Sequence, residues 1–125
     1  MNNIDLKERA TTFLLWIVEG KIEQAYAQFT DENMLHHNPY FKGDRTFLIN
    51  GMLENEHIFP NKIYEVKHIY QDGQTVIVHA HLRFKETDAG MVVVHICRFK
   101  QNKIIEFWDI GQQIPDQMLN ENGMF

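Results

Sequence analysis

The chain changes its periodicity once, near its middle. Up to about residue 57 apolar residues recur at helical spacing; after about residue 62 they alternate as strands do. Helices first and strands afterwards is the pattern of an α+β domain, with helices packed on one face of an antiparallel sheet. At 125 residues the chain has room for one domain, which we read as spanning residues 1–125. Hydrophobic residues at 44% are enough for a core, and nine Phe suggest a bulky core or an apolar pocket rather than disorder.

The helical half begins with Leu6, Ala10, Phe13, Leu14, Ile17 and Val18, which form one apolar stripe, and Gly20 is placed to end it. Ile22, Ala25, Tyr26 and Phe29 continue the stripe in a short second helix. Thr30 to Asn33 reads as a polar turn. Met34 to Asn38 reads as a short extended piece, because Pro39 biases the residue before it away from helix. Asp44 is placed to cap a third helix through Phe47, Leu48, Gly51 and Met52. Four strands are expected next, over residues 62–70, 75–84, 91–100 and 103–110, the first two joined at an Asp72-Gly73 turn.

The last two expected strands are apolar on both faces. Val92, Val94 and Ile96 with Ile104, Trp108 and Ile110 form one set; Val93, His95 and Cys97 with Ile105, Phe107 and Asp109 form the other. A sheet with one wet face should alternate cleanly. Helices can cover only one face here, so a homodimer through the sheet, buried by the Val92 set, is expected.

Charge excludes some partners. Twelve basic against seventeen acidic residues give a net charge of −5, and no basic cluster exists to neutralise nucleic-acid phosphates. No apolar run reaches the roughly 20 residues that span a bilayer. No signal peptide is recognisable, and the single Cys97 suits a reducing compartment, so the cytoplasm is expected.

Seven histidines carry most of the chemical information. His79 and His81, two apart on a strand, face the same way. His95 lies within the apolar run Met91 to Cys97, and Asp109 within Glu106-Phe107-Trp108-Asp109-Ile110. A carboxylate in such a strand needs a partner. A strict two-residue turn at Gln101-Asn102 sets His95 against Trp108 and turns Asp109 away. A three-residue loop over residues 100–102, with Asn102 left-handed, pairs His95 with Phe107 and Val93 with Asp109. His95 and Asp109 then become diagonal neighbours on one face. We expect the second register. Burial would raise the Asp109 pKa and a charged His95 would lower it. A buried acid can move protons in catalysis, but a carboxylate that merely caps backbone N–H groups is the plainer alternative. A zinc site from His37, His79 and His81 is conceivable, but the spacing fits no standard pattern, so no metal is expected. No phosphate-binding glycine loop and no nucleophile elbow occurs.

His37-Asn38-Pro39, Gly43, Val78-His79-Ala80-His81, Gly90-Met91 leading to Arg98, Lys103-Ile104-Ile105-Glu106-Phe107-Trp108-Asp109, Gln112, Ile114-Pro115 and the ending Asn122-Gly123-Met124-Phe125 follow one another in a familiar order. In that order the chain resembles the SnoaL-like proteins of the nuclear transport factor two-like superfamily, over nearly its whole length. The resemblance implies a curved sheet wrapped round helices as a cone with an apolar pocket, commonly a dimer. It implies a ring-closing aldol condensation without metal or other cofactor, run by a histidine and an aspartate on adjacent strands. The corresponding positions are His95 and Asp109. Many relatives carry Asp at the first position, so His95 is the more cyclase-like residue. Phe107 replaces a more usual His, and His36 a more usual Gln. The expectation is therefore an acid/base enzyme for a small hydrophobic carbonyl compound. His37, His79 and His81 would position substrate oxygens, and Trp16, Tyr40, Phe47 and Phe107 would line the pocket. A non-catalytic ligand-binding dimer with the same pocket is the alternative, as is a scaffold dimer whose pocket is vestigial.

Overall fold

In a computed structural model, described here for residues 4–125, three helices precede most of the sheet. Helix α1 spans Leu6–Val18, α2 Ile22–Phe29 and α3 Arg45–Ile58. The Asp5 carboxylate accepts from the N–H groups of Lys7 and Glu8 to start α1. Asp44 accepts from Phe47 N–H at 3.0 Å to start α3, the role its position in the sequence predicts. Gly20, at φ +89°, takes the left-handed turn between α1 and α2.

The strands are β1 (Thr30–His36), β2 (Ile63–Asp72), β3 (Thr75–Arg83), β4 (Met91–Lys100) and β5 (Lys103–Gln113). They form one sheet in the order β1-β5-β4-β3-β2. The last four make the expected antiparallel meander. The expected turn at Thr30 to Asn33 is corrected: these residues belong to β1, which lies parallel to β5 at the sheet edge. Its polar residues are tolerated because the strand bows out between its paired ends, at Thr30–Ile104 and Leu35–Glu106. Inside that bow Asp31 accepts from Asn33 N–H.

Alternation decides which face meets the helices. Val76, Val78, Ala80, Val93, Cys97, Phe99, Ile104 and Phe107 point inward and are buried. They pack on Leu6, Ala10, Phe13, Leu14, Ile22, Ala25, Tyr26, Phe29 and Leu48 from the helices. Phe13 is fully buried and meets Tyr26, Phe29 and Phe107 edge-on at 5.2, 6.3 and 5.8 Å. Burying one such ring contributes about 2–3 kcal/mol.

The expected register at the last hairpin is corrected. The loop is the two-residue turn Gln101-Asn102, both with positive φ, and Lys100 pairs with Lys103. The extra residue is Ile105, bulged between the Arg98–Glu106 and Phe99–Ile104 pairs. The bulge sends Ile104 inward, so it leaves the outer set assigned to it from the sequence. It also sets His95 directly opposite Asp109. Val92, Val94, Ile96 and Trp108 stay on the outer face and are half-buried, while Ile110 is 52% exposed. Among the described residues no helix is long and apolar enough to cross a membrane.

Candidate active site

Between the helices and the inner face lies a cavity of ≈ 620 Å³. Leu14, Ile17, Leu48, Met52, Leu82 and Phe107 supply apolar wall; His95, Asp109, Tyr26 and Tyr64 supply the polar part. The segment between β1 and α3 forms the rim, with Asn38, Pro39, Tyr40 and Phe41. Phe41 sits there because α3 presents Gly51 beneath it: a Cβ at Gly51 would lie 2.4 Å from the Phe41 ring.

His95 and Asp109 meet across β4 and β5, with Nε2 to Oδ1 at 3.1 Å. The Tyr64 hydroxyl lies 2.9 Å from His95 Nδ1. Burial, with smaller contributions from Cys97 and Asp109, pushes the Tyr64 hydroxyl far above an ordinary phenol, so it stays O–H. It can therefore donate to Nδ1 and leave Nε2–H directed at the carboxylate; the tautomer follows from the network. Asn38 donates its amide to the other oxygen, Oδ2, at 2.9 Å. Burial, the largest single influence, pushes the Asp109 carboxyl up. The His95 hydrogen bond, the charge that ring can carry and the Asn38 amide outweigh it together. The carboxyl therefore lies below the usual value and is ionised at neutral pH.

Asn38 is itself held. Its Oδ1 accepts from Tyr40 N–H at 3.0 Å, and its N–H donates to His36 Nδ1 at 3.1 Å. His36 is buried, and its Nε2–H donates to the Lys42 carbonyl. The ring thus pins both ends of the loop that delivers the Asn38 amide to Asp109.

Of the residues predicted for the site, His95, Asp109, Phe107 and Tyr40 line the cavity, Tyr40 on the rim at 86% exposed. His37 reaches the rim, but its ring is turned onto Trp108, stacked at 4.8 Å, and its Nε2–H donates to Glu106 at 2.6 Å. Glu106 also pairs with Arg98, and those two hydrogen bonds, Arg98's first, hold its carboxyl below the usual range. Four assignments are corrected. His79 and His81 point from β3 to the outer face, because Val78, Ala80 and the rest of the buried set take the inner one. There His79 stacks on His68 at 5.2 Å, and Phe125 lies against both His79 and His81. Trp16 packs on Phe29 at 5.2 Å and does not line the cavity. Phe47 is exposed on α3 beneath Lys42. Among the described residues no three His, Cys, Asp or Glu side chains gather as a metal site, His37, His79 and His81 included.

Three participants carried a weaker signal. Asn38 ends the expected extended piece Met34 to Asn38, where nothing in the sequence points to a partner. Tyr64 belongs to the inward alternation of β2. Tyr26 read simply as part of the helical stripe.

No family model and no curated protein matches the chain in sequence. Solved structures do match it in fold. An uncharacterised cystatin-fold protein from Novosphingobium aromaticivorans is 17% identical, with a TM-score of 0.72 over 86% of this chain and 99% of its own. A proposed SnoaL-like polyketide cyclase from Shewanella putrefaciens is 11% identical, with a TM-score of 0.73 over 88% and 81%. IdmH, a proposed polyketide cyclase from Streptomyces antibioticus, is 15% identical, with a TM-score of 0.71 over 86% and 92%. The chain therefore has the cystatin-like, nuclear transport factor two-like fold, the one that SnoaL-like proteins share.

Proposed function

We propose that the chain is an acid/base enzyme that acts on a small hydrophobic carbonyl compound, with no metal or organic cofactor. The observation that carries this reading is the ionised Asp109, bonded to His95 and Asn38, on the wall of an apolar cavity. In the step we propose, the Asp109 carboxylate takes a proton from carbon next to the substrate carbonyl. The C–H bond breaks, its electron pair forms the enolate double bond, and negative charge moves to the carbonyl oxygen. The proton then returns to another carbon in an isomerisation. In an aldol ring closure the enolate carbon attacks a second carbonyl, and the proton goes to the new alkoxide. His95, held by Tyr64, keeps the carboxylate in place through its Nε2–H. Bound substrate would displace water and make the carboxylate a stronger base. Similarity to proteins named as proposed polyketide cyclases supports the same chemistry.

The test is hydrogen exchange at carbon. 2-Tetralone in D2O should lose its α-proton NMR signals faster with the protein than with buffer alone. Asp109→Asn should cut the catalysed rate by at least about 100-fold while the fold is kept. Equal exchange by native and variant protein rejects the reading.

We also propose that the outer face of β4 and β5 pairs with a second copy of the chain. Val94 and Ile110 lie side by side there, with Ile110 half-exposed.

A further inference from the structure

Tyr26 is 1% exposed and stands in the cavity wall. Its backbone is fixed: its carbonyl accepts from Thr30 Oγ1 at 2.6 Å and from Arg45 Nη2 at 3.0 Å. Phe13 holds its ring edge-on. Its hydroxyl is another matter. Among the described residues Tyr64 spends its hydroxyl on His95, and Tyr40 and Tyr70 are exposed to water. The Tyr26 hydroxyl alone is in a buried residue and makes no hydrogen bond to a protein group. No polar side-chain atom sealed from solvent lacks a partner among these residues. The Tyr26 hydroxyl is thus not sealed, and the space it opens onto is the cavity. Buried phenols normally find a partner, and leaving one unmade is costly. Burial first, then the Asp109 carboxylate, raise its ionisation far beyond an ordinary phenol, against a smaller pull from Arg45. It therefore offers O–H at any working pH, near the carboxylate that would generate an enolate.

We infer that the Tyr26 hydroxyl is the group that binds the ligand's carbonyl oxygen, donating the hydrogen bond that the protein leaves unmade. This rests on the reading of the cavity as a site for carbonyl compounds, and it deepens it: the cavity selects a ketone over a hydrocarbon of the same shape. In the enolate the same oxygen becomes negative, so the bond strengthens as the proton leaves carbon.

2-Tetralone and tetralin, its hydrocarbon counterpart, separate the hydrogen bond from shape. The native chain should bind the ketone more tightly, and Tyr26→Phe should weaken ketone binding about five- to tenfold while leaving tetralin unchanged. The carbonyl stretch of the ketone bound to the native chain should lie below its value in hexane and return toward it in Tyr26→Phe. The melting temperature of the variant should be unchanged or higher, since no protein partner is lost. Equal binding of the two probes by the native chain, binding of neither, equal losses for both in the variant, or an unshifted stretch would each overturn the inference. Failure of the acid/base reading looks different: the ketone would bind through Tyr26 and no exchange at carbon would follow.

Discussion

A carboxylate in an apolar wall keeps its charge only through what donates to it. Asp109 has one donor on each oxygen, His95 on Oδ1 and Asn38 on Oδ2. Its folded pKa is lowered from a reference of 3.8, so it contributes stability that is present above about pH 4 and lost as the pH falls through the folded value. Asn38→Asp tests the balance at one atom. Asp is isosteric, and its oxygen can still accept from Tyr40 N–H, so the rim loop keeps its turn. The amide donor, however, becomes a second carboxylate within hydrogen-bonding distance of the first. Two carboxylates so close cannot both ionise freely, and the pair should titrate with one pKa raised by roughly one to three units. The acid limb of the exchange rate should move to higher pH by that amount, and acid unfolding should begin at higher pH. A profile that coincides with the native one would mean that Asn38 does not hold Asp109.

The hairpin from β4 to β5 decides whether a site exists at all. A strand has a two-residue period, so one extra residue anywhere on the arm turns Asp109 from the outer face to the inner one. That parity was legible in the sequence: an Asp in an apolar strand needs a buried partner, and His95 was at hand. The position of the extra residue was not, because Asn102 tolerates a left-handed conformation in a three-residue loop and in a two-residue turn alike. The structure uses Gln101 at φ 51° and Asn102 at φ 66°, and places the bulge at Ile105. His95 and Asp109 face each other directly as a result. The three helices and four later strands were legible because each has a periodic apolar face. β1 was not, since Asp31, Glu32 and Asn33 sit where the edge strand bows away from its neighbour. His79 and His81 were misread because alternation groups residues by face without saying which face is inner. The turn itself makes a prediction. Two non-glycine residues in the left-handed region store strain, and Asn-Gly is the pair this turn prefers. Gln101→Asn with Asn102→Gly should stabilise the chain by about 1 kcal/mol and raise its melting temperature by about 4 °C. The bond from Arg9 to position 102 survives, because it is made to the backbone carbonyl. A fall in melting temperature would show that the side chains of Gln101 or Asn102 matter more than their backbone conformation.

At the scale of the whole molecule, the two faces of the sheet have different fates. The inner face is filled by helices and cavity. The outer face is divided: over β2 and β3 the C-terminal Phe125 lies on His79 and His81, with Lys67 above its ring. Over β4 and β5 the Val94–Ile110 and Ile96–Trp108 pairs remain, and His37 covers only the Trp108 ring. A second copy would therefore seat on β4 and β5 and clear of the tail, with the two cavities facing apart, since they open on the opposite side of the sheet. A stable dimer of this size buries about 1,200–2,000 Å² in total, which calls for most of that outer strip. Sedimentation at micromolar concentration should give twice the 14.9 kDa mass of one chain. Val94→Lys places a charge at the centre of the strip without touching the core, because Val94 points away from the helices, between the buried Val93 and His95. The variant should sediment as a folded monomer. Its rate of exchange at carbon should stay within about twofold of the native rate, since Asp109, His95, Asn38 and Tyr26 all come from one chain and lie on the other side of the sheet. A native chain that is already monomeric at that concentration would remove the dimer. A variant that loses the dimer and the exchange rate together would mean that the second copy holds β5, and with it Asp109, in its working position.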